Sequence, residues 1–418
     1  MTSEVYILMK EFFEKNRKKL LDKLNDGDLV ILYAGAAPVK RGDENYPFTP
    51  DRNFYYVTGI DRQNLIFAIG KLGGKDFERL YIEPDNGQMA RWIGANLTAE
   101  EAEEISGVKD IKLTDNFEDD LQLLSKDTKK LYLDLDRKDL DIESIKEGMS
   151  EVFKAVKIEN IFNTFAQMRV IKEPWEIELV RKAGDITRLG IEEMMKNAKP
   201  GMWEYEIEAY YDFVLRKNGV KDKAFSTIAA SGMNGTTLHY VENNSKTHEN
   251  DLILIDAGAQ WGYYAGDISR TFPVSGKFTE RQKLVYNIVL GGQQLVIDNI
   301  KPGVEYPSLN EMLKEYYFEE LKKIGLVKTK EEVFNYYFHG VSHFIGAETH
   351  DVGDRSQTLK PGMIISVEPG LYIAEWSIGI RIEDDALVTE NGCEILTKDM
   401  IKTVDDIERF MAEGKKNV

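Results

Sequence analysis

The chain has 418 residues, of which 54 are Lys or Arg, 72 are Asp or Glu and five are His, giving a formal net charge of -18. That acidity repels phosphate backbones and anionic bilayer surfaces, so neither nucleic acid nor membrane is expected as a partner. The single cysteine, Cys393, excludes an intrachain disulfide and any thiolate-rich metal site.

In chain order, the opening stretch MTSEVYILMKEFFEKNRKKLLDKL reads as an amphipathic helix with charges spread along it. It lacks the uninterrupted apolar region and small-residue cleavage site of a signal peptide, and no run approaches the ~18 to 20 apolar residues that span a bilayer. A cytoplasmic location is expected. Short apolar runs follow, DLVILYAG, NLIFAIG, ERLYIEP and KKLYLDL, separated by polar helical stretches. This is the pattern of an α/β domain. The character changes near residue 165. A long helix is predicted from Pro174, a residue tolerated in a first turn, until KPG at 199–201 stops it. Beyond it come the predicted strands DLILIDAGAQ, GYYAGDISRTF, MIISVEPGLYI and IGIRIEDDALVT, with two helices near 279–300 and 308–323. Two domains, 1–165 and 166–418, are expected from the length and this break. The fold class is α+β.

The second half concentrates the chemistry. Asp256 and Asp267 end or enter two apolar runs laid out as an antiparallel hairpin, and Glu368 and Glu383 repeat the design. A carboxylate in such a setting needs a partner, because desolvation costs several kcal/mol per ion. Salt bridges to Arg270 and Arg381 would provide one. The alternative is a shared metal site. HGVSHFIGAETHDVG places His339, His343 and His350 within twelve positions, and the spacing of four keeps His339 and His343 on one face, with Gly340 and Gly346 favouring a strand. Four carboxylates and one imidazole form a donor set suited to two divalent ions such as Mn, Co, Zn or Fe. Two such ions lower the pKa of a water held between them and clamp a tetrahedral intermediate, so metal-assisted hydrolysis is the implied chemistry.

The segments HYVENN, DAGAQWGYYAGDISRTF, HGVSHFIGAETHDVG, VEPGLYI and GIRIEDDALVT occur in the order and approximate spacing of the pita-bread metallopeptidases, and the chain resembles the aminopeptidase P subgroup among them. NYPFTPDRNFYYVTGI at 45–60 is similar to that subgroup's N-terminal domain, so the resemblance covers nearly the whole chain. It implies an N-terminal α/β domain with a mixed sheet, like that of creatinase and aminopeptidase P, followed by a catalytic pita-bread domain. It also implies that Asp256 chelates one ion, Asp267 and Glu383 bridge both, and His343 and Glu368 complete the ligand set of the other ion. Glu368 would serve as general base and then acid. Arg381 would orient a carboxylate or the substrate, His239 and His350 would line the cleft with His350 donating to the developing oxyanion, and His339 would stand on the proline side. Tyr372 and Trp92 complete the implied substrate contacts, Trp92 being equally explained as an aromatic at a subunit contact. His248 reads as a solvated loop residue.

The activity implied is that of an Xaa-Pro aminopeptidase, using two metal ions, Mn2+ foremost, to cut peptides with proline in second position; a homodimer or homotetramer is expected. Prolidase, the Xaa-Pro dipeptidase, is the alternative, with Ser342 leaning away from it. Methionine aminopeptidase lacks the large N-terminal domain, and creatinase lacks the metal ligands. A non-enzymatic pita-bread module that binds peptides or proteins would usually have lost one or more of the five ligands present here.

Overall fold

The structure, a computed structural model, describes residues 3–414, with side chains from residue 9 onward. The chain divides into two compact units, Met1–Met168 and Arg169–Val418.

The N-terminal unit is built on a six-stranded mixed sheet: β1 (Asp28–Tyr33), β2 (Ile66–Leu72), β3 (Lys75–Ile82), β4 (Ile111–Leu113), β5 (Lys130–Leu133) and β6 (Lys157–Asn160). The spatial order is β4-β3-β2-β1-β5-β6, antiparallel at β1–β2 and β2–β3 and parallel at the other pairs. Gly73 and Gly74 both have positive φ, the requirement of the two-residue turn that joins β2 to β3. β1 is buried on both faces. Leu29 and Ile31 join a cluster with Phe117 and Leu121 of helix α2 (Phe117–Leu124) and Met149 of α3 (Ile142–Val152). Val30 and Leu32, of opposite parity, are buried as well, so the run is continuously apolar rather than alternating. Within the aromatic motif Asp51 caps a short helix, Arg52–Thr58, by accepting from Phe54 N at 2.7 Å. Gly59 closes that helix in the left-handed region, where a Cβ would strike the Phe13 ring. The helix expected at the N-terminus, α1, runs over Ser3–Leu21, and Met1 and Thr2 of the expected stretch lie outside the described residues.

In the C-terminal unit helix α4 (Pro174–Asn197) starts at the proline and stops just before Lys199-Pro200-Gly201. Helix α5 (Glu204–Lys217) follows. A three-stranded antiparallel sheet then forms from β7 (Ile228–Ser231), β8 (Leu252–Ala257) and β9 (Ile268–Pro273), with Asp256 opposite Ser269. Helices α6 (Glu280–Asn299) and α7 (Tyr306–Lys323) precede the last strands, and α8 (Val404–Gly414) ends the described chain.

Two expectations are corrected here. The second hairpin is not continuous: MIISVEPGLYI splits into β10 (Ile364–Val367) and β11 (Gly370–Ile373), and IGIRIEDDALVT into β12 (Ile378–Arg381) and β13 (Asp384–Val388). β10 pairs with β13 and β11 with β12, in separate sheets. The break falls at Glu368 and Glu383. Pro369 has no N–H for a ladder, and the amides of Glu368 and Glu383 donate instead to Val341 O and Ser269 O, both at 3.0 Å. The run His339–His343 is likewise irregular, with Phe344 opposite Ile365 as an isolated bridge. It lies alongside β10, but its ladder is interrupted because His343 N donates to the Ser366 side chain at 2.9 Å.

Arg270 locks the ligand-bearing strands together. It is fully buried, and its five N–H groups reach Ile401 O, Ser269 O, Glu383 O, Asp384 Oδ1 and Met400 O. Asp384 is equally satisfied: Thr397 Oγ1 also donates to Oδ1, while Gln293 Nε2 and Lys402 Nζ donate to Oδ2. Although burial pushes its carboxyl up, Arg270 and Lys402 bring it below the ordinary range. Arg270→Met should therefore cost about 3–5 kcal/mol, because it removes one of the two cations on buried Asp384 and the guanidinium donors to the Ile401, Glu383 and Met400 carbonyls. Lys277→Met, which breaks an exposed pair with Glu408, should cost under about 1 kcal/mol. Urea unfolding of both variants checks the contrast, and similar midpoints would contradict it.

Candidate metal centre

Strand ends deliver four carboxylates to one place. Asp256 lies near the end of β8, Asp267 one residue before β9, and Glu368 and Glu383 at the break between the two last sheets. The irregular run brings in His343. Its Nε2 stands 3.4 Å from Asp267 Oδ2, 3.4 Å from Glu368 Oε1 and 3.8 Å from Glu383 Oε1. Asp267, His343 and Glu383 each offer a donor atom within 4.8 Å of the others, and all three are buried. Glu368 is partly accessible. Asp256 completes the group through its charge, which raises the carboxyls of Asp267, Glu368 and Glu383.

The chemistry of the set requires a cation. His343 Nδ1 lies 3.1 Å from Phe344 O, which assigns the proton to Nδ1 and leaves Nε2 a bare lone pair aimed at carboxylate oxygens. Burial, with His350 beside it, brings the His343 pKa down to about 3, so the ring is neutral. Asp256 Oδ1, Asp267 Oδ1 and Glu383 Oε1 are buried without a hydrogen-bond donor. Unpaired acceptors of this kind are costly in a dry interior. Divalent metal satisfies all of them at once, and oxygen donors with one imidazole suit hard or borderline ions. The residues present fit such a group.

Arg381 forms the wall of the site. Its NH2 donates to Asp256 Oδ2 at 2.6 Å, its Nε to Ser269 Oγ at 2.8 Å and its NH1 to Tyr372 Oη at 3.0 Å. A salt bridge to Arg381 thus exists for Asp256 and leaves the other oxygen of Asp256 unpaired, whereas Arg270 pairs with Asp384 and with none of the four carboxylates. Tyr372 is buried, and its hydroxyl lies 2.9 Å from His339 Nε2. His339 Nδ1 is 2.7 Å from Gly340 O, so Nδ1 donates, Nε2 accepts, and the chain Arg381 to Tyr372 to His339 has one direction. Burial, then the Arg381 charge, brings the His339 pKa down to about 4. His350 packs edge-on to His343, ring centroids 4.4 Å apart, and is exposed, as is His239 on the segment after β7. His248 is exposed beside Asp251, 3.1 Å away. Trp92 belongs to the N-terminal unit, where it is 85% exposed.

Three residues of the site escaped sequence reasoning. Ser269 Oγ donates to Glu383 Oε2 at 2.7 Å, and Ser366 Oγ to Glu368 Oε1 at 3.2 Å. Each sits two positions from a ligand candidate along a strand, the offset that shares a face, and that was the available signal. Arg355 is an exposed cation whose charge reaches His343, His350 and Glu368; nothing in its local sequence points there.

Comparison with known proteins agrees with this geometry. Residues 178–390 match metallopeptidase family M24, and residues 13–132 match the aminopeptidase P N-terminal domain. An Xaa-Pro aminopeptidase of Haemophilus influenzae is 32% identical over 97% of this chain and 98% of its own. Among solved structures, a candidate aminopeptidase P from Bacillus anthracis superposes with TM-score 0.95 at 45% identity, covering 98% of this chain and 100% of that one. Escherichia coli aminopeptidase P with the inhibitor Pro-Leu gives TM-score 0.91 at 30% identity, over 97% and 99%. The chain belongs to metallopeptidase family M24. Within that family it is a two-domain enzyme of the aminopeptidase P type, a metallo-exopeptidase whose C-terminal unit is the pita-bread domain.

Stripping metal should expose the repulsion among the carboxylates. Burial first, and then neighbouring carboxylates, hold Asp267 and Glu383 well above the ordinary range, and burial raises Glu368 from 4.5 to about 7. Between those values the native state binds more protons than the unfolded chain, so stability falls as pH rises. Chelator-treated protein should lose Tm from about pH 5 to about pH 7, and metal should restore it most at the upper end. A chelator-treated Tm that climbs across that window would contradict the assignment.

Proposed function

We propose that this enzyme removes the first residue from peptides of sequence Xaa-Pro-Yaa, with two divalent ions at the carboxylate cluster, Mn2+ foremost. The observation that carries the reading is the bare Nε2 of His343 directed at Asp267, Glu368 and Glu383 among carboxylate oxygens that have no donor. Asp256, Asp267, His343, Glu368 and Glu383 would hold the ions. When bound, these supply a Lewis acid and a hydroxide nucleophile at neutral pH.

The protein's own groups then divide the remaining work. Glu368 is the proton carrier: Ser366 fixes Oε1, and partial accessibility lets the carboxylate face both water and substrate. It takes a proton from the attacking water and returns it to the departing nitrogen. The second transfer is obligatory for proline, whose amide nitrogen has no N–H of its own and leaves only as an amine. His350, exposed beside His343, donates to the oxygen on which negative charge develops. His339, with both nitrogens engaged, serves as a wall on the proline side. Tyr372 and Arg381 hold that wall, and Arg381 also orients Asp256. His239 stands at the rim. Trp92 is proposed as an aromatic that meets substrate or a second subunit in a homodimer or homotetramer.

Support for proline specificity comes from the aminopeptidase P relatives and from the Pro-Leu complex of the Escherichia coli protein. Two outcomes test the proposal. Ala-Pro-Ala should be cleaved with a higher kcat/KM than Ala-Pro, and a clear preference for the dipeptide would move the assignment to prolidase. His350→Ala should lower kcat by roughly 10²- to 10³-fold, the scale of losing one oxyanion donor, with metal content unchanged by elemental analysis. Loss of metal would mean that the wrong histidine has been assigned.

A further inference from the structure

Away from the metal centre, Glu204, the first residue of α5, is a fully buried carboxylate held by hydrogen-bond donors rather than by a salt bridge among the described residues. Its charge is balanced by hydrogen-bond donors. Oε1 accepts from Ser231 N at 2.7 Å, Ser231 Oγ at 2.7 Å and Asn234 Nδ2 at 3.0 Å. Oε2 accepts from Tyr240 Oη at 2.8 Å and Ser245 N at 2.9 Å. Five donors saturate a group that offers about four lone-pair sites, and the positive end of α5 adds to them. One turn further along α5, Glu208 Oε2 accepts from Asn243 Nδ2 at 2.8 Å, and Asn243 Oδ1 accepts from Ala229 N at 3.0 Å.

Tyr240, Asn243 and Ser245 lie on the segment that carries His239, and Ser231 and Asn234 stand where the chain leaves β7 towards it. Tyr240 follows it directly, and Asn243 and Ser245 hold the return. Leu238 and Tyr240, its two neighbours, pack against the cluster of Ile228, Ala230, Leu254 and Tyr372, and the Tyr372 hydroxyl in turn meets His339. His239 therefore has little latitude, although its own side chain is exposed. We infer that Glu204 is a positioning residue for the peptide site: acting through Tyr240 and Ser245, its carboxylate sets where His239 stands. The inference rests on the proposed place of His239 at the substrate rim. It goes beyond that proposal in assigning a part to a helix-borne acid that touches neither metal nor peptide.

Two substitutions test it. Tyr240→Phe removes one of the five donors, and Glu204→Gln turns an NH2 group toward donors. Hydrogen exchange should rise across 237–245 in both variants, with the rest of the C-terminal unit still protected and metal content unchanged. With Ala-Pro-Ala, kcat/KM should fall roughly ten- to a hundredfold, as for a small misplacement of an active-site group. In a His239→Ala background Tyr240→Phe should have no further effect. Equal losses in both backgrounds, exchange that rises throughout the unit, or unaltered exchange would each overturn the inference. Should wild-type protein fail to cleave Xaa-Pro peptides, the proposed function fails, and the exchange measurement alone decides whether Glu204 holds the segment.

Discussion

Four carboxylates and a neutral imidazole cannot share one dry space on their own account. Burial first, and then the charge of neighbouring carboxylates including Asp256, raises the carboxyls of Asp267, Glu368 and Glu383, and His343 contributes a lone pair rather than a proton. Such an arrangement persists in a folded protein only if something cationic is bound or if protons fill the gaps. Much of the C-terminal unit is organised to hold these groups against their mutual repulsion, which is why two hairpins, an irregular run and two arginines converge there.

The two arginines divide the labour in a way that explains why both are arginine. Arg270 uses every N–H of its guanidinium on carbonyls and on Asp384, fastening the backbone of the ligand strands without neutralising any ligand. Arg381 places one nitrogen on Asp256 and spends the others on Ser269 and Tyr372, so it orients a carboxylate while leaving its second oxygen open. A lysine at either place would present a single point charge, unable to fork between partners held in fixed directions. A cation aimed at all four carboxylates would have removed the need for metal, and the fold avoids that.

What the sequence disclosed follows from how far each signal reaches. Apolar runs identified four of the six strands of the N-terminal sheet and β8 and β9 of the C-terminal unit, because periodicity is local, while the short strands β4, β6 and β7 went unmarked; Pro174 and Lys199-Pro200-Gly201 marked α4 for the same local reason. Asp256, Asp267, Glu368, Glu383 and His343 stood out as charged or polar residues in apolar settings, and the structure brings them together. The break at Glu368 and Glu383 was hidden, since it depends on amides donating to Val341 and Ser269 from distant parts of the chain. The irregular course of His339–His343 was hidden too. Glycines allow a strand or a turn, and the choice was made by the Ser366 side chain taking a backbone donor. Glu204 gave no sign at all, because five donors from four separate residues meet it only in three dimensions.

Depth separates the chemistry from the selection of substrate. The floor of the site, Asp256, Asp267, His343, Glu383 and Arg381, is buried and set on or beside strands of the scaffold, where packing limits displacement. The rim, His239, His350 and Arg355, is exposed and carried on connecting segments. A rate set by the floor is insensitive to what lies beyond proline, whereas groups on loops meet the continuing chain. Arg355 carries positive charge at the rim, reaching His343, His350 and Glu368 from an exposed turn. Under the proposed reading, discrimination between a dipeptide and a longer chain then falls to these exposed segments rather than to the buried ligands at the base of the site.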